Sequence, residues 1–164
     1  MIDIFEINPH TDESKITKNN FLSIFLAGTI DMGNSEDWQH DIIEQLKEIA
    51  ESNKDRIENK DGSIHIYNPR RKEGFSDDKA EQEYQINWEL DHLEQCNIIV
   101  MNILPDSKSP ISLMELGLFA RSKKLVVICP EKFYRYDNVR IVCERYKVKL
   151  YNDINVFMEN EMKW

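Results

Sequence analysis

One carboxylate lies inside an otherwise apolar helical pattern. In residues 109–117, Glu115 is surrounded by isoleucine, leucine and methionine, and the segment begins with Ser109 and Pro110, which suit a helix cap and first position. A carboxylate packed against a sheet is costly to bury, and such acids concentrate at functional sites. The alternative is that Glu115 and Ser112 share a narrow solvent-exposed stripe of the helix. The local sequence does not decide between these two interpretations.

A second polar set lies in another predicted helix. Gln85, Glu89 and His92 follow one another at i, i+4 and i+7, so they share one helix face. If this face points into a cleft, its carboxylate is available for chemistry. If it points to water, it is an ordinary solvated stripe.

Basic residues are concentrated at one place, where Arg70, Arg71 and Lys72 directly follow Asn68 and Pro69. Three cations are sufficient to bind one phosphate or carboxylate. They are too few for a nucleic acid duplex. The whole chain has 30 acidic residues against 21 lysines and arginines, and its net charge of −9 opposes binding to a nucleic acid polymer.

Apolar strand patterns alternate with helical patterns along the chain. Strands are predicted at 21–27, 63–68, 97–104, 125–129 and 148–151, and helices at 35–49, 81–95, 110–119, 138–146 and 153–162. Polar loops are predicted at 53–62 and 74–80. Continuous apolar strands joined by helices predict an α/β fold with a mainly parallel, doubly wound sheet between helices.

Ligands of such sheets bind beyond the carboxyl ends of the strands. This places four segments at one edge, namely 27–33, 68–71, 105–109 and the chain from 130 onward. Gly28 and Gly33 permit close backbone approach, but they do not form the GxGxxG fingerprint of dinucleotide sites, and a phosphate-loop pattern is also absent. We therefore expect no dinucleotide cofactor, and Gly28 can equally be an ordinary turn glycine.

The length and composition fit one soluble domain. A chain of 164 residues can bury a core without disulfides or structural metal. The absence of an apolar run of about 18 residues and of a basic-then-apolar leader predicts a cytoplasmic protein that has no membrane segment. The 3 cysteines lie in apolar or helical contexts and the 4 histidines are scattered, so we expect reduced packing thiols and no metal site.

Five segments, in order along the chain, resemble the motifs of one family. They are FLAGTIDMG with EDWQ, then NPRR, QINWE, SPISLMELG and NVRIVCERY. Together they resemble the nucleoside 2-deoxyribosyltransferase-like family over residues 21 to about 155. The resemblance implies a single domain, residues 1–164, with a flavodoxin-like five-stranded sheet of order 2-1-3-4-5. It also implies cleavage of the N-glycosidic bond of a nucleoside or nucleotide.

The resemblance also implies roles for individual residues. Glu115 matches the family's nucleophile, and Glu89 occupies the position of an acid that assists at the base, where the better-studied transferases carry Asp. The other matching positions are expected to bind the substrate: Gly28, Thr29, Asp31, Trp38, Asn68, Arg70, Arg71, Gln85, Ser109, Met114 and Asn138. Related enzymes complete the site from a neighbouring subunit, with Asn138 as the matching candidate here, so a homodimer or larger homo-oligomer is implied.

The implied chemistry suits two carboxyl groups. Attack on the anomeric carbon passes through an oxocarbenium-like state, which Glu115 would stabilise and then capture as a glycosyl ester. Glu89, with a pKa raised by burial, would protonate the departing base. Attack on the ester by water gives a hydrolase, and attack by a second base gives a transferase. The competing class is a nucleotide-binding or sensing domain that keeps the pocket without turnover.

Two further positions depart from the family pattern. Ser109 stands where deoxynucleoside transferases carry an Asp that holds the 5′ hydroxyl. A serine at a helix start could instead bind a 5′ phosphate, and Arg70 or Arg71 could reach the same phosphate. The alternative is that Ser109 only caps the helix and that the arginines pair with surface acids. Phe25 stands where the transferases carry Tyr, so a hydroxyl near the nucleophile must come from Tyr67 or Thr29.

Overall fold

The computed structural model describes residues 2–16, 19–53 and 62–162, and these residues form six strands and five α-helices, which alternate from the second strand onward. The strands are β1 Ile2–Ile7, β2 Asn20–Gly28, β3 Gly62–Tyr67, β4 Ile98–Asn102, β5 Leu125–Ile128 and β6 Lys149–Tyr151. The helices are α1 Trp38–Ser52, α2 Lys79–Gln95, α3 Pro110–Phe119, α4 Tyr136–Tyr146 and α5 Ile154–Glu161. The loop predicted at 53–62 lies outside the described residues except for its two ends.

The strands form one six-stranded sheet in the order β1-β3-β2-β4-β5-β6. The predicted strands correspond to β2 through β6, and their predicted order 2-1-3-4-5 is preserved within this sheet. The predicted number of five strands is wrong, because β1 is added beside β3 in parallel register, from Ile2 opposite Gly62 to Ile7 opposite Tyr67. The α/β prediction is confirmed, and the arrangement is consistent with a flavodoxin-like fold.

Capping side chains set where the first two long helices begin. Asp37 accepts a hydrogen bond from the His40 amide, so α1 begins at Trp38 and not at residue 35. Asp78 accepts one from the Glu81 amide, so α2 begins two residues earlier than predicted. Among the helices that the structure describes, none is both long and apolar enough to cross a lipid bilayer.

The first of two compact units contains β1, most of β2, α1, β3 and α2; it extends to Phe25 and then covers Met32–Asn97. Its core includes Ile24, Ile64 and Ile66 from the strands, and one face of α1 contributes buried Trp38, Ile42, Ile43 and Leu46. The spacing of these four apolar residues in the sequence is that of one helix face. Ile86, in contrast, is 56% exposed on α2.

The second unit contains Leu26–Asp31 and the chain from Ile98, with β4, α3, β5, α4, β6 and α5. Its core is formed by apolar strand residues together with buried side chains of α4 and α5: Ile99, Val100, Met101, Val127, Val139 and Phe157. Cys129 and Cys143 are buried free thiols, and burial raises their pKa values to about 12 and about 11.

Candidate active site

Helix α3 turns its polar residues inward and part of its apolar surface outward. Glu115 and Ser112 are buried, with exposures of 7% and 3%, whereas Ile111, Met114 and Leu118 are more than half exposed. The alternative of a solvent-exposed stripe shared by Glu115 and Ser112 is therefore wrong. An ordinary packing helix would not expose Ile111 and Leu118 while it buries a carboxylate, so this orientation singles out Glu115 as a candidate functional carboxylate.

A cluster of three buried hydroxyl groups lies at the start of α3. The Thr29 Oγ1 atom is 3.0 Å from Ser107 Oγ and 2.5 Å from Ser109 Oγ, and the two serine oxygens are 2.8 Å apart. The backbone amide of Leu104 donates to Thr29 Oγ1, and the Ser107 hydroxyl donates to the Leu104 carbonyl. Ser107 uses its one hydroxyl proton in the bond to Leu104. Only the hydroxyl protons of Thr29 and Ser109 therefore remain for the three contacts between the hydroxyl oxygens.

Ser109 does not cap α3 with its side chain. Its backbone lies in the left-handed region, at φ 45° and ψ 51°, and its hydroxyl contacts Thr29 and Ser107 instead of the helix amides. The prediction that Ser109 acts as a side-chain cap is therefore wrong. A non-glycine residue in this conformation is strained, and such strain is typical of functional sites.

Gly28 allows the end of β2 to approach the end of β4 closely. Its φ is 127°, and a Cβ atom added there would lie 2.0 Å from the Asn102 carbonyl oxygen. The amide of Thr29 donates to that same oxygen at 2.9 Å. Gly28 is therefore more than an ordinary turn glycine, because the contact orients the backbone that carries Thr29 into the hydroxyl cluster.

Three other predicted site residues of the second unit lie on its surface. Asp31 is exposed, with a positive φ of 48°, and Met114 is exposed on the outer side of α3. Asn138 is exposed at the start of α4, where it lines a cleft of about 320 Å³ with Leu113 and Gly117 of α3.

Glu89 is half-buried on α2 in the first unit. Burial raises the pKa of its carboxyl to about 7, while a hydrogen bond from Gln85 acts in the opposite direction. The Gln85 Nε2 atom donates to Glu89 Oε1 at 2.8 Å and to the Pro69 carbonyl at 3.0 Å. The predicted shared face of Gln85 and Glu89 therefore brings the two side chains into contact.

His92 belongs to an aromatic cluster and not to the Gln85–Glu89 pair. Its ring lies 4.3 Å from the rings of Tyr67 and Trp88, and its Nε2 is 3.3 Å from a Glu13 carboxylate oxygen. Phe25 also packs near Trp88, with ring centroids 6.1 Å apart. Burial raises the pKa of the Tyr67 hydroxyl within this cluster.

Arg70 holds the segment between β2 and α1 in place. Its guanidinium donates to the Ser35 hydroxyl and to the Glu36 carbonyl, both at 2.9 Å, and its Nε is 3.3 Å from Asp37 Oδ1. It also donates to Gln39, which is fully buried and which the sequence did not single out. Arg70 therefore pairs with an acid, Asp37, as the alternative interpretation of the basic segment expected.

Arg71 pairs with Glu81, whose carboxylate also contacts His10. These two neighbours hold the pKa of Glu81 below its usual value, with the His10 hydrogen bond as the larger cause. The Nε atom of Arg71 is buried and makes no hydrogen bond within the part of the chain that the structure describes.

Asn68 and Trp38 take part in the architecture of the first unit. The Asn68 side chain donates to Glu6 and accepts from the Arg70 amide. Asn8 donates to the carbonyls of Asn68 and Arg70, so the end of β1 supports the loop after β3. Trp38 is 2% exposed within the core. Glu6 lies in β1 and Asn8 directly follows it, and both residues were missed because this strand was not predicted from the sequence.

Residues 22–133 match the family model described as nucleoside 2-deoxyribosyltransferase like. The matched range contains Glu89, the hydroxyl cluster and Glu115, but it includes neither β1 nor Asn138. Among curated proteins, none matches the chain.

Proposed function

The chain belongs to the nucleoside 2-deoxyribosyltransferase-like family, and on this premise we propose that it cleaves the N-glycosidic bond of a nucleoside 5′-monophosphate or nucleoside. The family supports a glycosyl-transfer or hydrolytic role in general. The proposed reaction proceeds through a covalent glycosyl ester on Glu115. Transfer of the ester to water makes the protein a hydrolase, and transfer to a second base makes it a 2-deoxyribosyltransferase.

The burial of Glu115 carries this proposal. A carboxylate turned inward on a helix that leaves Ile111 and Leu118 more than half exposed needs a compensating function. In the proposed step, a Glu115 oxygen bonds to the anomeric carbon while the carbon–nitrogen bond breaks and its electron pair leaves with the base. The negative charge of the carboxylate stabilises the oxocarbenium-like transition state before the ester forms.

Glu89 supplies the proton in the proposed reaction. A carboxyl with a pKa of about 7 is protonated in about half of the molecules at neutral pH, which is the condition that favours a general acid. It donates this proton to a nitrogen of the departing base. When water attacks the glycosyl ester, Glu89 in its charged form accepts the proton that the water loses, which restores the starting state.

Ser109 favours a substrate that carries a phosphate. A carboxylate at this position would repel a 5′ phosphate, whereas a hydroxyl can donate a hydrogen bond to it. One arrangement of the cluster leaves the Ser109 proton for a ligand, because Thr29 can donate to Ser109 and Ser107 to the Leu104 carbonyl. Since Arg70 is engaged with the segment before α1, the proposed phosphate contact rests on Ser109 and the start of α3.

A substrate panel tests the proposed reaction. Purified protein is incubated with nucleosides and their 5′-monophosphates, and released base and sugar are identified by mass spectrometry, with and without an acceptor base. We expect base release from at least one monophosphate and a loss of release in Glu115→Gln. The absence of base release by the wild-type protein from every substrate, at every pH, would reject the enzymatic proposal.

The second candidate function is a non-catalytic nucleotide-binding domain of the same fold. Phe25 favours it, since this buried side chain lacks the hydroxyl that the family's transferases have there, and the Thr29 hydroxyl is engaged in its own cluster. For this function, wild type binds a nucleotide without turnover and Glu115→Ala keeps the same affinity, which calorimetry measures directly.

A further inference from the structure

The Gln85 amide has a fixed orientation. Its Nε2 atom lies 3.0 Å from the Pro69 carbonyl oxygen and 2.8 Å from Glu89 Oε1, so the two amide protons have separate acceptors. The Pro69 carbonyl can only accept a hydrogen bond. Rotating the amide by half a turn would place two acceptor oxygens against each other, so the carbonyl maintains the donor toward Glu89.

This orientation distinguishes the two oxygens of the Glu89 carboxyl. If Oε1 carried the acidic proton on the side of Gln85, that hydrogen would face the hydrogen of the Gln85 N–H group, and the two would repel each other. The proton of neutral Glu89 therefore belongs on Oε2. On the premise of the proposed function, we propose that Gln85 is a positioning residue for Glu89, which keeps Oε1 as an acceptor and leaves the transferable proton on Oε2.

The loop that carries Pro69 is itself held in place within the first unit. Asn8 donates to the carbonyls of Asn68 and Arg70, on either side of Pro69, at 3.3 Å and 3.1 Å. The position of the Pro69 carbonyl is therefore set by contacts with the end of β1. The resemblance assigned Gln85 to substrate binding, but its two amide protons are already used by Pro69 and Glu89.

The same contact affects the protonation of Glu89. A hydrogen bond to the charged form lowers the pKa of a carboxyl, and here it opposes the larger effect of burial. The elements of the first unit around this contact carry further charged or titratable groups, among them the arginines after Pro69, His92 three residues along α2, and Tyr67 on β3. Arg70 contacts Asp37, Arg71 contacts Glu81, and His92 contacts Glu13 and the Tyr67 ring.

Carbon-13 NMR of labelled glutamate carboxyl groups tests this proposal without requiring turnover. The Glu89 signal is assigned by its loss in Glu89→Gln and then titrated in wild type and in Gln85→Met, which keeps the side-chain length but removes both donors. We expect the Glu89 midpoint to rise by about one pKa unit in Gln85→Met. Asn87→Ala is the matched control, because Asn87 is an exposed amide of α2 that bonds to its own helix, and its midpoint should equal that of wild type.

An unchanged or lowered Glu89 midpoint in folded Gln85→Met would overturn the proposal. If that variant does not fold, Gln85→Leu provides the same test, since it also removes both amide donors without adding a charge and should raise the Glu89 midpoint above the wild-type value. A midpoint that does not rise would again reject it.

Assays of base release distinguish a failure of this proposal from a failure of the proposed function. The rate of base release falls above a certain pH, and in Gln85→Met this pH should rise together with the Glu89 midpoint. If wild type releases no base but the midpoint depends on Gln85, the reaction fails and the positioning contact remains. If wild type releases base and Gln85→Met changes neither the midpoint nor the pH at which the rate falls, only the positioning proposal fails.

Discussion

The hydroxyl oxygen of Ser109 lies 2.5 Å from that of Thr29, and both side chains are buried. This contact turns Ser109 away from the amides of its own helix, so the residue has a side-chain environment different from that of an ordinary cap. Gly28 makes the contact possible, since it brings the backbone of Thr29 against Asn102.

Replacing Ser109 should change the substrate preference. If its hydroxyl holds a 5′ phosphate, Ser109→Ala should lower kcat/KM for nucleotides by about 10- to 100-fold, which corresponds to one hydrogen bond to a charged group, and leave nucleosides nearly unchanged. Ser109→Asp should shift the preference further toward nucleosides. Ser122→Ala is the control, because Ser122 is exposed and bonds to the carbonyl of Phe119. Equal losses for both substrates would contradict a phosphate contact.

Replacing Gly28 should destabilise the protein. An added Cβ meets the Asn102 backbone at 2.0 Å, and the φ of 127° is itself unfavourable for alanine, so Gly28→Ala should lower the free energy of unfolding by about 2–4 kcal/mol. Urea titration followed by circular dichroism measures this. Gly117→Ala is the matched comparison, because nothing lies within 4 Å of its added Cβ and alanine favours a helix by about 1 kcal/mol. Similar effects for the two variants would show that the close approach is unimportant.

The raised pKa of Glu89 makes stability depend on pH. The pKa of this carboxyl is about 7 in the folded state against an ordinary value of 4.5, so the group keeps its proton to higher pH when folded. Its contribution to stability is therefore complete below pH 4.5 and is lost as pH rises through 7. Glu89→Gln removes this dependence and should stabilise the protein at alkaline pH by about 1–3 kcal/mol relative to wild type, after allowance for partial exposure. Unfolding measured across the pH range checks this; a difference that does not grow with pH would contradict the buried carboxyl.

The rate of base release should fall on the alkaline side of pH 7. Glu89 must be protonated to act as the acid, so kcat/KM should decrease about tenfold per pH unit above its pKa. In Glu89→Gln the alkaline decrease of kcat/KM should disappear, and the rate of base release should be about 10²- to 10⁴-fold lower than in wild type. A full alkaline decrease in that variant would assign the proton to another group.

Periodicity predicted those parts of the fold and site that depend on neighbours along the chain. The core face of α1 and the contact between Gln85 and Glu89 both follow from i, i+4 spacing within a helix. The order of β2 through β6 followed from the family resemblance. Strand β1 was missed although Asp3 and Glu6 interrupt its isoleucines in a pattern that fits a strand at the sheet edge.

The remaining site features depend on tertiary contacts that local patterns do not contain. Helix α3 is apolar on two faces, so its periodicity could not indicate that Glu115 and Ser112 face inward. The Ser109 hydroxyl had a helix cap available, and only the approach of Thr29, 80 positions away, redirects it. The support of the Pro69 loop by Asn8 likewise joins residues about 60 positions apart.

Detection of the glycosyl ester on Glu115 tests the central claim most directly. Wild-type protein and Glu115→Gln are mixed with a cleavable nucleotide, quenched in acid during turnover, and digested for peptide mass spectrometry. We predict that the wild-type peptide containing Glu115 gains the mass of the sugar phosphate, that fragmentation places it on Glu115, and that the variant shows neither adduct nor base release. Base release by Glu115→Gln at the wild-type rate, with no adduct on the wild-type peptide, would contradict the account.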